Sequence, residues 1–294
     1  MTIASSSSPC WTGALYSVYR ISVGVYLTIH FGSLIPWGTE VYSAAGMLPD
    51  AGLSPLASAF PSIFTIADSP LAVRLILSSL VGASLLITVG WWDRPAALWV
   101  WYGLACLFVR NPLTANPSLP VVGWLLIAHT VVPAGPRWSV TAFLKPGLAE
   151  TWSMPRYVPL AAWVIMAVSY SYSGWTKLIS PSWVDGSALA EVLANPLARP
   201  SALREMLLTA PPVLLRMATW SAVGLELLFA PLALSRSLRP IIWAAMLGMH
   251  VGLLVLVDFA DLTVGMMLIH FITVDPKWLS PRKDASGGFR PPRS

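Results

Sequence analysis

The chain has 294 residues, of which 56% are hydrophobic and only 11% charged. A soluble domain carries about 25% charged residues, so a soluble globular reading is excluded. The net charge of +5 is small and its basic residues gather in loops and near the C-terminus; no basic face interleaves with aromatics, which argues against nucleic-acid binding.

Apolar segments follow one another over residues 13–35, 70–90, 95–111, 119–133, 158–178, 212–234, 240–257 and 262–274. A helix needs about 20 residues to span a bilayer, so the fourth and eighth are short. The pattern predicts an all-α, polytopic integral membrane bundle of about eight transmembrane helices. Fifteen tryptophans suit it, because many stand at segment ends, where amphipathic rings favour the interface. The first segment has no positive n-region before it and no small-residue cleavage site after it, so it reads as a retained anchor. Only Trp91-Trp92-Asp93-Arg94-Pro95 separates the second and third segments. That predicts a tight helical hairpin with Pro95 at a helix start. The connections 36–69 and 179–211 are rich in proline and small residues and contain apolar stretches. They are expected to lie along the membrane surface. Residues 1–279 read as one domain and 280–294 as a disordered cytoplasmic tail. Cys10 precedes the first segment and Cys106 lies inside the third, so both read as ordinary thiols.

Loop charges set the expected orientation. With a cytoplasmic N-terminus, the inner side holds Arg94, Arg137, Lys145, Arg156, Arg236, Arg239 and the basic residues from Lys277 onward, with Arg282, Lys283, Arg290 and Arg293 among them. The outer loops hold the acids Glu40, Asp50, Asp68, Asp185, Glu191, Glu205, Asp258 and Asp261. Lysine and arginine near span ends favour the cytoplasm, so both termini are predicted to be cytoplasmic and the protein a multi-pass protein of the cell membrane.

Ionisable residues inside apolar spans are expensive and mark either function or buried partnerships. They are Arg20, His30, His129, Glu226, His250 and His270. Arg20 is expected to pair with a carboxylate or with backbone carbonyls, and His30, His129 and His270 to be satisfied buried histidines. Glu226 lies in an i, i+4 run of small residues, Ala218, Ala222 and Ala230, which predicts close helix contact around the carboxylate. His250 lies opposite a second small run, Ala244, Gly248 and Gly252, and is expected to face a cavity.

The densest signal is Ser169 to Gly186, in which Lys177 ends an apolar run. Tyr170, Ser173 and Lys177 share one helix face by i, i+3, i+7 spacing. An ammonium there either snorkels to the headgroups or ends a polar stripe inside protein. Desolvation disfavours a charged amine, which is how a buried lysine becomes a base near neutral pH. The sequence has no CxxC, HExxH, GxGxxG or Walker motif, and no metal site is expected.

Tyr172-Ser-Gly-Trp-Thr-Lys-Leu178 followed by Trp183-Val-Asp-Gly186 resembles the signature of the HTTM membrane domain. That domain occurs in vitamin K-dependent gamma-carboxylases and in stand-alone bacterial-type proteins. Glu226, Arg239-Pro240 and His250 match further parts of its pattern, most clearly over residues 158–280. In the carboxylases a lysine of this motif is held to deprotonate vitamin K hydroquinone, and oxygenation then creates the base that removes a glutamate gamma-proton. The resemblance therefore implies Lys177, His250 and Glu226 as catalytic residues. Tyr170, Ser173 and Trp183 would bind vitamin K hydroquinone or another quinone. The animal enzymes carry two adjacent lysines, the first of which is Thr176 here, and a large lumenal substrate domain that this sequence does not contain. Stand-alone members resemble factors for maturation or export of secreted peptides. The alternative is thus a non-catalytic membrane factor that assists a secreted peptide or a membrane partner protein.

Overall fold

The computed structural model describes residues 11–278. Cys10 and the segment 280–294, including Arg282, Lys283, Arg290 and Arg293, lie outside the described residues. Among the described residues there are fifteen α-helices and no strand. Eight long helices carry the architecture: α1 (Gly13–Leu34), α2 (Pro70–Val89), α3 (Asp93–Arg110), α4 (Ser118–Val131), α5 (Tyr157–Lys177), α6 (Pro212–Leu227), α7 (Arg239–Leu256) and α8 (Ala260–Thr273). They coincide with the apolar segments within a few residues, except that the sixth is interrupted. There, α6 stops at Leu227 and a short helix, Phe229–Leu234, follows.

Two helices, α2 and α7, are each long and apolar enough to cross a membrane. Ala202–Leu208 and α6 pass that test together but are bent by 107°. The outward faces are apolar as well. Along α5, Leu160, Val164, Val168 and Tyr172 recur every four residues and all are exposed. A soluble helix turns polar residues outward, so this inversion fits a lipid environment.

The chain builds α1–α4 first, with α1 packed on α2, α2 on α3 and α3 on α4. It then builds α5, α6 and α7, and α8 joins the two groups by touching α1, α4, α5 and α7. Serine at 69 and proline at 70 start α2, with the Ser69 hydroxyl accepting from Ala72 N. Gly90 ends it in the left-handed region at φ 71°, and Trp92 then turns the hairpin into α3 at φ 51°. No β-carbon would fit at Gly90, because it would lie 2.8 Å from Arg20 Cζ. The Arg20 guanidinium fills that space. It donates to the carbonyls of Ile87 and Thr88 at the end of α2, and to that of Trp138 in the connection after α4. A charged residue inside α1 is explained by this cap.

The small-residue runs were expected to mark helix contacts, and the structure corrects this. Ala218 is exposed and Ala222 half-buried; the buried face of α6 is Leu215, Thr219, Val223 and Glu226. On α7 the buried residues are Ile242, Met246 and His250, while Ala244 and Gly248 face outward. In lipid an outward small residue costs little, so a small run alone does not choose the contact face. The close approach comes instead at Gly174 of α5, where a β-carbon would lie 2.5 Å from Leu227 N. At Gly248 a β-carbon would meet nothing within 4 Å.

Gly174→Ala should therefore separate α5 from α6 and cost about 1–3 kcal/mol, while Gly248→Ala should be neutral or slightly stabilising. Unfolding in mixed micelles measures both; equal stability of the two variants would contradict the packing.

Candidate functional site

Gly174 decides what happens one turn later. Because α5 and α6 touch there, Lys177 at the end of α5 meets Glu226 near the end of α6, with Nζ 2.5 Å from Oε2. Nζ also donates to Ser173 Oγ at 2.8 Å. Both partners are shielded, the lysine side chain being 18% exposed and the glutamate 9%. A cation at a helix C-terminus is also favoured by the helix dipole.

The interruption of α6 belongs to the same arrangement. Around the break at Leu228, Leu227 O lacks its helical donor because Pro231 has no N–H, and Ala230 N turns to a side chain. Ser171 Oγ donates to Leu227 O at 3.2 Å and accepts from Ala230 N at 3.0 Å. One serine of α5 thus bridges the break beside Glu226.

The Trp183-Val-Asp-Gly186 motif shapes the other wall. Pro181–Asp185 forms a short helix that brings the Trp183 ring to 4.9 Å from Lys177 Nζ. A ring face attracts an ammonium. Gly186 follows at φ 85°, pressed against Arg216, whose Cβ would lie 3.0 Å from an added β-carbon. Trp220 Nε1 donates to Val184 O at 3.1 Å and Leu189 N to Thr219 Oγ1 at 3.1 Å, which fastens this segment to α6. The Asp185 carboxyl, exposed, is held below its usual range chiefly by the Ser187 backbone N–H.

Two turns before Lys177, Tyr170 is buried among three elements. Its hydroxyl lies 2.7 Å from His250 Nε2 on α7 and 3.4 Å from His270 Nδ1 on α8. His270 Nδ1 is also 3.1 Å from Met266 O, which can only accept, so this nitrogen is assigned the proton. Phe229 closes over the tyrosine ring, centroids 4.9 Å apart. His250 Nδ1 and His270 Nε2 are buried without hydrogen-bond partners. Unpaired buried polar atoms are costly, and these two are hydrogen-bonding positions that no described protein group fills.

The expected residues therefore fall into two adjoining groups. Lys177, Glu226, Ser173 and Trp183 form one; Tyr170 and His250 form the other, joined by His270. Sequence reasoning set His270 aside as a satisfied core histidine, and it gave no role to Ser171. A lone histidine in an apolar segment carries no sign of which helix it will meet. The remaining buried ionisable residues are partnered elsewhere: His129 with Tyr16 and Asp93, and His30 with Asp261.

The model of the HTTM domain family matches residues 18–278 of this chain. No curated protein and no solved structure matches the chain.

If the Lys177–Glu226 contact is a buried ion pair, removing one partner strands the other. Lys177→Met and Glu226→Gln should each cost about 3–5 kcal/mol, and the double variant less than their sum. Additive losses in a double-mutant cycle would show that the two side chains do not interact.

Proposed function

The chain belongs to the HTTM domain family, and on that footing we propose that it acts on a lipid-soluble quinol at the end of α5, with Lys177 as the base. The observation that carries this reading is the shielded 2.5 Å contact between Lys177 and Glu226. A lysine needed only for anchoring has no use for a buried carboxylate. A base does, because something must take its resting proton.

The proton path follows from the contact. A proton moves from Lys177 Nζ to Glu226 Oε2 along their hydrogen bond, leaving a neutral amine beside a neutral acid. The amine then accepts a hydroxyl proton from the bound substrate and becomes an ammonium again. Ser173 Oγ keeps Nζ on the α5 face throughout. Trp183 receives the returning ammonium on its ring face. The flat ring of a hydroquinone fits an aromatic and apolar surround, and the orphaned His250 Nδ1 and His270 Nε2 supply hydrogen-bonding points that no protein group uses. A bound vitamin K hydroquinone or similar quinol would supply the acidic hydroxyl and the reducing power. Carboxylase-like chemistry on a secreted peptide is the activity this arrangement would serve.

A second reading is favoured by one observation: Lys177 already has Ser173, Glu226 and Trp183 as partners. In that reading the cluster locks α5 to α6, and the protein is a non-catalytic factor for a secreted peptide or a membrane partner. Lys177→Arg separates the two. Arginine keeps the charge and the pair but stays protonated. The variant should accumulate normally. Its quinol-dependent incorporation of labelled carbon dioxide into glutamate-bearing peptides should fall about 100-fold or more, as expected for loss of a general base. Retained activity would leave the locking role as the better account.

The basic loops orient the proposal, with both termini cytoplasmic and Lys177 at the outer face of the cell membrane. A cysteine at Ser182 should react with an impermeant maleimide in intact cells and one at Ser235 should not. The reverse pattern would invert the topology.

A further inference from the structure

A cavity of about 350 Å³ lies among α1, α3, α4, the connection after α1 and the one between α3 and α4, away from the Lys177 cluster. Its walls are aromatic and aliphatic, with Trp101, Phe108 and Trp124 prominent. Phe108 and Trp124 are also exposed on the outward apolar surface, so the cavity opens sideways toward lipid. Its few polar groups are His30, Tyr42, Thr114 and the indole N–H groups of Trp101 and Trp124. Tyr42 and Thr114 bond to each other at 2.9 Å, and burial pushes the Tyr42 phenol up, which keeps it neutral.

His30 is the side chain left to accept from a guest, and the Trp101 and Trp124 indoles can only donate. Its Nδ1 lies 2.9 Å from Asp261 Oδ1. Asp261 in turn accepts from Asn116 Nδ2 at 2.5 Å through Oδ2. A carboxylate holding that amide on one oxygen takes the imidazole proton on the other, so Nδ1 carries a hydrogen, and in the neutral imidazole Nε2 is the acceptor. No described residue bonds to Nε2. No lysine or arginine lines the cavity, and the Asp261 charge behind His30 repels an anionic head.

We propose that this cavity is a second ligand site, which takes an uncharged, ring-bearing lipid alcohol or phenol from the bilayer and accepts its hydroxyl proton in a hydrogen bond at His30 Nε2. The aromatic walls select a flat ring, the acceptor selects a hydroxyl over an ether, and the missing cation excludes a carboxylate. The site is independent of the Lys177 reading.

The test is equilibrium binding of radiolabelled 2-naphthol to the protein in nanodiscs, with 2-methoxynaphthalene and 2-naphthoate as ligands of the same ring. Saturable 2-naphthol binding is expected, about fivefold weaker for the ether, which cannot donate to Nε2, and at least about tenfold weaker for the anion. Gly123 lines the cavity, and an added β-carbon would meet only Trp101 at an ordinary 3.5 Å. Gly123→Leu should therefore fill the space, and Ala105→Leu does so from α3. Each should lower 2-naphthol affinity at least about tenfold while leaving membrane accumulation and unfolding temperature near the parent's. Lys177→Arg, which keeps the Glu226 pair, should bind as the parent does. Non-saturable partitioning, parent-like binding by both filled variants, or equal affinity for the ether or the anion would overturn the proposal. Loss of binding in Lys177→Arg alone would also overturn it, and would move the ligand to the Lys177 cluster while leaving the reading of that cluster intact.

Discussion

Placing an ammonium beside a carboxylate in an apolar bundle is favourable only when the two are held almost in contact, because each must give up its water. The Lys177–Glu226 pair meets that condition through the backbone. Gly174 lets α5 and α6 touch at Leu227, and the α6 carboxylate then arrives beside the α5 amine one turn on. Ser171, on the same helix, bridges the backbone of the α6 break between Leu227 O and Ala230 N. Three residues of α5 thus do separate jobs: Gly174 removes bulk, Ser171 supplies a bridge and Lys177 supplies charge. The Trp183-Val-Asp-Gly186 turn adds a ring beneath the ammonium and is itself fastened to α6.

The same logic recurs around the bundle. Each buried charge is met by a group from a helix distant in sequence. Arg20 caps α2 from α1. Arg110, at the end of α3, donates to Tyr42 O and Leu48 O and pins the connection after α1. Asp261, near the start of α8, gathers His30 and Asn116, and Gly265 brings α8 against Ser118 of α4, whose Oγ would lie 2.3 Å from an added β-carbon. Apolar contact against lipid has little orienting power of its own, since a leucine gains as much from an acyl chain as from a neighbour. Polar partnerships of this kind fix which helix faces inward.

That constraint explains what was legible in the sequence. Helix positions were, because an apolar run bounded by proline, glycine and charge fixes length without reference to neighbours. The shared face of Tyr170, Ser173 and Lys177 was, because it is a property of one helix. Partners across helices were less so. The resemblance to the HTTM signature gathered Lys177, Glu226 and His250, whereas His270 joined Tyr170 unannounced and Asp261 read only as a loop acid. Contact faces misled most plainly: the Ala218 and Gly248 runs turned outward, and the decisive glycine was the single Gly174. A lipid-facing surface tolerates small residues as readily as an interface does, so that signal has two meanings. The aromatic cavity beside His30 had no linear signature at all, since its walls come from three helices and two connections.

The central claim is that Glu226 is the charged proton partner of Lys177. Infrared difference spectroscopy on protein carrying carbon-13 glutamate tests it directly, with Glu226→Gln identifying the band. In the parent protein Glu226 should absorb as a carboxylate. In Lys177→Met the same residue, left alone in apolar surroundings, should take up a proton and absorb as a carboxylic acid. A Glu226 band that is identical in both proteins would contradict the pairing and remove the base from the end of α5.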